Sequence, residues 1–115
     1  MSKRRTEELL ADIKEAAGRI GKYIGGMDYQ AFLADLKTQD AVVRNVEIIG
    51  EAVKKLPKVF TAKHSGIPWK EMAGTRDKLI HDYFGVNYDI LWNIAESELP
   101  GILKAVEKLP VDGEK

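Results

Sequence analysis

Cysteine is absent from the sequence, which removes disulfides, zinc–thiolate sites and thiol nucleophiles from consideration. Net charge is also missing, since 18 Lys and Arg balance 18 Asp and Glu. Proteins that hold nucleic acid by neutralising many phosphates usually carry a clear basic excess. The balance lowers the case for a dedicated nucleic-acid binder. Any nucleic acid must be gripped locally, briefly, or across an interface that concentrates positive charge. No apolar run approaches the ~20 residues of a membrane span. The opening Met1-Ser2-Lys3-Arg4-Arg5-Thr6 leads directly into a charged amphipathic pattern with no signal-peptide core. A cytoplasmic protein without membrane contact is the expectation. With two histidines, no Glu-x-x-His pair and no glycine-rich phosphate loop, neither a metal nor a cofactor is expected.

What is present is an ordinary globular composition, 44% hydrophobic and 31% charged over 115 residues. That length predicts one domain spanning residues 1–115, with a polar tail from about 110 to 115 expected to fray. Helical periodicity dominates, and nothing alternates with period two long enough to make a strand. The first helix is expected from about Thr6 to Ile24, with Leu9, Leu10, Ile13, Ala16, Ala17, Ile20 and Ile24 on one face and Gly25-Gly26 ending it. A short helix from Tyr29 to Leu36 can be capped by Asp28 and should bury Phe32 and Leu33. A third, from about Thr38 to Leu56, carries Ala41, Val42, Val46, Ile49, Ala52 and Val53 and stops before Pro57. Residues 58–66 read as a connector. A fourth helix should begin at Pro68 and continue to about Tyr83. The last, from Tyr88 to Lys108, should kink at Pro100 rather than end there, because its apolar stripe resumes beyond. The pattern predicts an all-α fold: an antiparallel up-and-down bundle of four long helices and one short one.

The fourth helix places polar residues where apolar ones belong. At about 100° per residue, Trp69, Met72, Ala73, Ile80 and Phe84 define an apolar arc that also contains Arg76 and Tyr83. Asp77 and His81 lie together at its edge. An arginine on such a face reads as one half of a structural ion pair, with Glu98, which falls inside the apolar stripe of the last helix, as a possible acceptor, or as a functional cation. A lone histidine near a helix end is commonly a cap. Here, however, Asp77 stands four residues earlier on the same face and could fix its tautomer, while the helix C-terminus favours the imidazolium. Both effects would bring His81 towards acid–base work. His64, in the connector, has no comparable setting and reads as a surface residue.

Arg76, His81 and Tyr83 make an R-x4-H-x-Y signature. The stretch Asp40-Ala41-Val42-Val43-Arg44-Asn45-Val46-Glu47-Ile48-Ile49-Gly50-Glu51-Ala52, the run Ile67-Pro68-Trp69 leading to Ala73-Gly74-Thr75-Arg76-Asp77, and Tyr83-Phe84-Gly85-Val86-Asn87 leading to Leu91-Trp92 follow in order. Together they resemble the HepT-like toxins of the HEPN superfamily, from Glu7 to Leu109. One departure is Thr75, where a methionine is expected before the arginine.

The resemblance implies a homodimeric, metal-independent endoribonuclease toxin with two motif copies facing each other across a cleft. His81 would act as general acid or base, Arg76 would stabilise the phosphorane-like transition state, and Asp77 would orient one of them. Lys78 would contribute to RNA binding. The implied partner is a minimal nucleotidyltransferase antitoxin that attaches AMP to Tyr83. The alternative is a non-catalytic helical partner or regulatory subunit of that nucleotidyltransferase.

Overall fold

A computed structural model describes residues 3–79 and 85–109, without the side chains of residues 3, 4 and 76. Two long helices dominate it. α1 (Lys3–Ile24) and α3 (Leu36–Lys55) form the most extensive helix pair. All seven apolar positions expected to line α1 are buried. They meet Val42, Val46, Ile49, Ala52 and Val53 of α3, which are buried as well. α1 ends as its glycines require. Gly26 sits at φ 81°, where a Cβ would be strained, and the Met27 N–H returns to the Ile24 carbonyl at 2.9 Å.

Between them lies α2 (Tyr29–Leu33), whose N-cap Asp28 accepts from the Ala31 N–H at 2.8 Å. Phe32 is buried as expected; Leu33 is 39% exposed. The helix is only five residues long, so two adjacent positions cannot both face the core. Asp35 caps α3, accepting from both the N–H and the hydroxyl of Thr38. The Thr38 N–H does most to hold the Asp35 carboxyl below its ordinary range.

Buried polar groups join these elements. Gln39 donates to the carbonyls of Phe32 and Leu33 at 2.8 and 3.0 Å, fixing the end of α2 to α3. Asn45, also buried, donates to the Ala41 carbonyl and accepts from Arg19.

Residues 58–66 are not a bare connector. Lys58–Lys63 form a further helix, α4, that buries Phe60. His64 follows as its cap, half-buried, with its ring 4.6 Å from that of Phe60. The His64 carbonyl accepts from the Trp69 indole N–H at 2.9 Å. The apolar body of Phe60, at the centre of that turn, is what makes the segment pack rather than trail over the surface.

The expected fourth helix is divided. α5 (Trp69–Ala73) and α6 (Thr75–Leu79) are separated at Gly74, whose ψ of 2° is not helical. Glycine's low helix propensity makes this the weak point. Residues 80–84 lie outside the described set, as does the expected tail at 110–115.

The last helix runs past Pro100, as its apolar stripe predicts. α7 (Tyr88–Asn93) passes into a π-helical turn at Ile94–Glu98 and then into α8 (Leu99–Glu107). The Leu99 N–H bonds the Ile94 carbonyl, five residues back. Pro100 supplies no N–H, and the wider turn just before it accommodates the interruption. The described residues are thus predominantly helical and contain no strand. No helix among them is long and apolar enough to cross a membrane.

Candidate functional site

α6 carries the first half of the signature, and its placement follows from two buried neighbours. Met72 precedes it in α5 and Leu79 ends it, 4% and 1% exposed. Leu79, which the periodicity of Trp69, Met72 and Ile80 did not select, is the anchor that docks α6 against α3. Gly50 of α3 faces the preceding turn: a Cβ built there would make ordinary van der Waals contact, 3.5 Å from the Met72 carbonyl oxygen and 3.6 Å from that of Ala73. The backbone of Arg76 is therefore held on a short, well-seated helix.

The residues beside Arg76 diverge. Asp77 and Lys78 are both exposed, but only Lys78 borders a cavity of about 500 Å³ enclosed by α3, α5, α6 and the last helix. Val46, Ile49, Met72, Leu99 and Ile102 form its apolar floor. Glu71, Thr75, Lys78 and Glu98 stand around it. Asp77 takes no part in this lining. Thr75, at the position where a methionine was expected, turns its hydroxyl back to the Glu71 carbonyl at 2.8 Å.

Glu98 is exposed and accepts from the Asn93 side-chain amide at 2.9 Å. It is not a buried member of the apolar stripe. The π turn shifts the register of the helix, bringing Glu98 to the mouth of the cavity while Leu99 is buried. The Arg76 side chain, His81 and Tyr83 lie outside the described set, so the expected Arg76–Glu98 pair and the Asp77–His81 pair do too.

The chain on either side of the motif's second half is closely tied. The Asn87 N–H donates to the Leu79 carbonyl at 3.0 Å, and the Asn87 side chain caps α7 through the Ile90 N–H. Gly85 holds φ 94°, and Asp89 accepts a hydrogen bond from the Tyr29 hydroxyl of α2. That bond raises the Tyr29 phenol above its ordinary range. Tyr29 and Phe32 also pack on Trp92, with centroids 6.1 and 5.1 Å away.

Among the described residues, no three His, Asp or Glu side chains group as metal ligands would. The cavity was not legible in the sequence, because its lining comes from four separate elements. Thr75, Lys78 and Glu98 of its rim had been singled out for other reasons, and Glu71 had not.

A helical chain that seats an arginine-bearing turn beside a mixed apolar and charged cleft is the class of protein defined so far. Comparison with known sequences makes it specific: residues 13–109 match the family described as Ribonuclease HepT-like, and the chain belongs to that family. A protein named "Putative RNase" from Methanocaldococcus jannaschii is 46% identical over 112 residues, 97% of this chain and 93% of its own. Another of that name, from Caldanaerobacter subterraneus subsp. tengcongensis, is 52% identical over 86 residues, 75% of this chain and 77% of its own. A "Probable ribonuclease HepT" from Thermococcus cleftensis is 46% identical over 107 residues, 93% of this chain and 97% of its own. No solved structure matches.

Proposed function

We propose that this chain is a metal-independent endoribonuclease toxin of a toxin–antitoxin pair, acting as a homodimer of up-and-down antiparallel bundles in the cytoplasm. The observation that carries the reading is the seating of Arg76 on α6, between buried Met72 and Leu79, in a chain of a ribonuclease family. A permanently charged, bidentate donor held on a rigid turn suits the charge that develops on a phosphorane.

In this reaction His81 takes the proton of the RNA 2′-hydroxyl. The 2′-oxygen attacks the adjacent phosphorus, and the 5′-oxygen leaves with a proton from a second acid. The products are a 2′,3′-cyclic phosphate and a free 5′-hydroxyl. The second acid is His81 of the other copy; five helical residues would separate Arg76 from His81 by about 140° on one helix, which favours a site shared between the two chains. Asp77 orients His81 or Arg76, and Lys78 contacts the RNA. A nucleotidyltransferase antitoxin attaches AMP to Tyr83. The added anion competes for Arg76 and blocks the cleft.

The test is incubation of purified protein with RNA in excess EDTA. Arg76→Ala and His81→Ala should each lower cleavage by at least about 100-fold, with circular dichroism unchanged. Undiminished cleavage by both variants would refute the reading. The zero net charge favours a second one, a non-catalytic partner of the nucleotidyltransferase. That alternative predicts a stable complex of the two proteins and no RNA degradation at all.

A further inference from the structure

The cavity beside α6 has a chemistry that the reaction above does not use. At about 500 Å³ it falls within the size range of small-molecule sites. Its floor is aliphatic, suited to the face of a flat ring. The polar groups around it are mostly acceptors. Glu98 commits one carboxylate oxygen, Oε2, to Asn93 and among the described residues leaves Oε1 to accept, and Glu71 also lines the cavity. The Thr75 hydroxyl is already directed to the Glu71 carbonyl. Lys78 is the one cation of the described lining.

A second groove adjoins this cavity and shares Pro68 and Glu71 with it. Lys54, Lys58 and Lys70 border that groove. Lys54 makes an exposed 3.7 Å pair with Glu51, a contact that salt and competing anions weaken. Positive charge is thus gathered locally on a chain of zero net charge, which suits a polyanion passing next to the cleft.

We propose that the cleft is the base-specificity subsite of the ribonuclease. It takes one unstacked base bearing an exocyclic amino group at the adenine C6 or cytosine C4 position, next to the phosphate held at Arg76. This rests on the ribonuclease reading above. Thr75 and Lys78, which line the cleft, flank Arg76 on the same five-residue helix, so the base and the phosphate belong to neighbouring parts of one strand. The strand is single, because a paired and stacked base cannot enter a cleft. Glu98 accepts from the amino group, and Lys78 meets the flanking phosphate. Uracil presents a carbonyl oxygen where adenine and cytosine present an amino group. Facing the Glu98 carboxylate, that oxygen meets a second acceptor instead of a donor, and the missing charge-assisted hydrogen bond disfavours binding.

The experiment digests a random-sequence RNA oligonucleotide pool with the purified chain and maps the cut ends. Wild type should show uridine depleted about tenfold at one fixed position beside the cut, the factor expected from one charge-assisted hydrogen bond. Glu98→Gln supplies an amide donor and should bring that depletion to within about twofold. Ile102→Trp fills the floor and should raise KM about tenfold on a preferred oligonucleotide. Should Ile102→Trp fail to fold by circular dichroism, Glu98→Gln, at an exposed position, decides alone.

A wild-type pattern indifferent to uridine, or one that Glu98→Gln leaves unchanged, overturns the proposal. So does an Ile102→Trp variant that alters elution volume but not KM, which would make the cleft a contact between copies. Absence of any cleavage by wild type refutes the ribonuclease reading itself and the subsite with it. That failure is separate from an active enzyme that has no base preference.

Discussion

The backbone N–H of Asn87 donates to the carbonyl of Leu79 at 3.0 Å, joining the end of α6 to the start of α7 across the second half of the R-x4-H-x-Y signature. Residues 75–79 and 87–93 are thereby held as one frame. Leu79 is fixed by burial and Asn87 by its role as the cap of α7.

Leu79 should therefore matter twice. Leu79→Ala removes a side chain that is 1% exposed and should cost about 2–5 kcal/mol, measured by urea denaturation. Under conditions where the variant stays folded, RNA cleavage should still fall, since α6 loses its anchor. Leu79→Met, which keeps the volume, should cost less than about 1.5 kcal/mol.

At Asn87 the prediction concerns the cap. Asn87→Ala deletes the acceptor for the Ile90 N–H and should cost about 1 kcal/mol. That corresponds to a drop of about 4 °C in Tm for a chain of this size. Asn87→Asp should retain most of the stability, because its carboxylate can serve the same N–H.

Gly85 holds a left-handed backbone at φ 94°. Gly85→Ala should destabilise the domain by about 1 kcal/mol or more, although a Cβ there meets no neighbour within 4 Å among the described residues. Gly18→Ala is the control: its Cβ also meets nothing, but it lies within helix α1, and the change should stabilise. Calorimetry on both variants separates backbone strain from crowding.

Asp35 links stability to pH. Its carboxyl is held below the ordinary range chiefly by the Thr38 N–H. A carboxylate depressed on folding contributes stability that is fully present above its unfolded pKa and is lost as pH falls through its folded pKa. The difference in Tm between wild type and Asp35→Ala should therefore be constant near neutrality and shrink below about pH 4. A difference that stays constant down to pH 2 would show that the cap does not depend on the charge.

Much of this was legible because helices announce themselves locally. The apolar face of α1, the Asp28 cap and the glycine stop at Gly25-Gly26 each depend on residues within a turn or two of one another. The signature from Arg76 to Tyr83 is contiguous as well, and so is the block around Gly50. Leu33 and Glu98 departed from expectation because a wheel assumes unbroken helical phase, and His64 is half-buried because burial depends on what lies opposite, here Phe60. Phe60 converts a presumed connector into packed helix, Gly74 interrupts the fourth helix, and a π turn ahead of Pro100 moves Glu98 to the cavity's rim.

The sequence by itself determined that this chain is helical, that Arg76 belongs to a helical segment, and that Arg76 and His81 have the spacing of a ribonuclease signature. Those properties are local periodicity and order along the chain. Tertiary structure alone decided that Leu79 anchors the arginine's helix, that Lys78 borders the cleft while Asp77 does not, and that Glu71, Glu98 and Ile102 share one cavity. Residues up to 59 positions apart, Val46 and Ala105 among them, become neighbours only when apolar faces of separate helices are buried against one another.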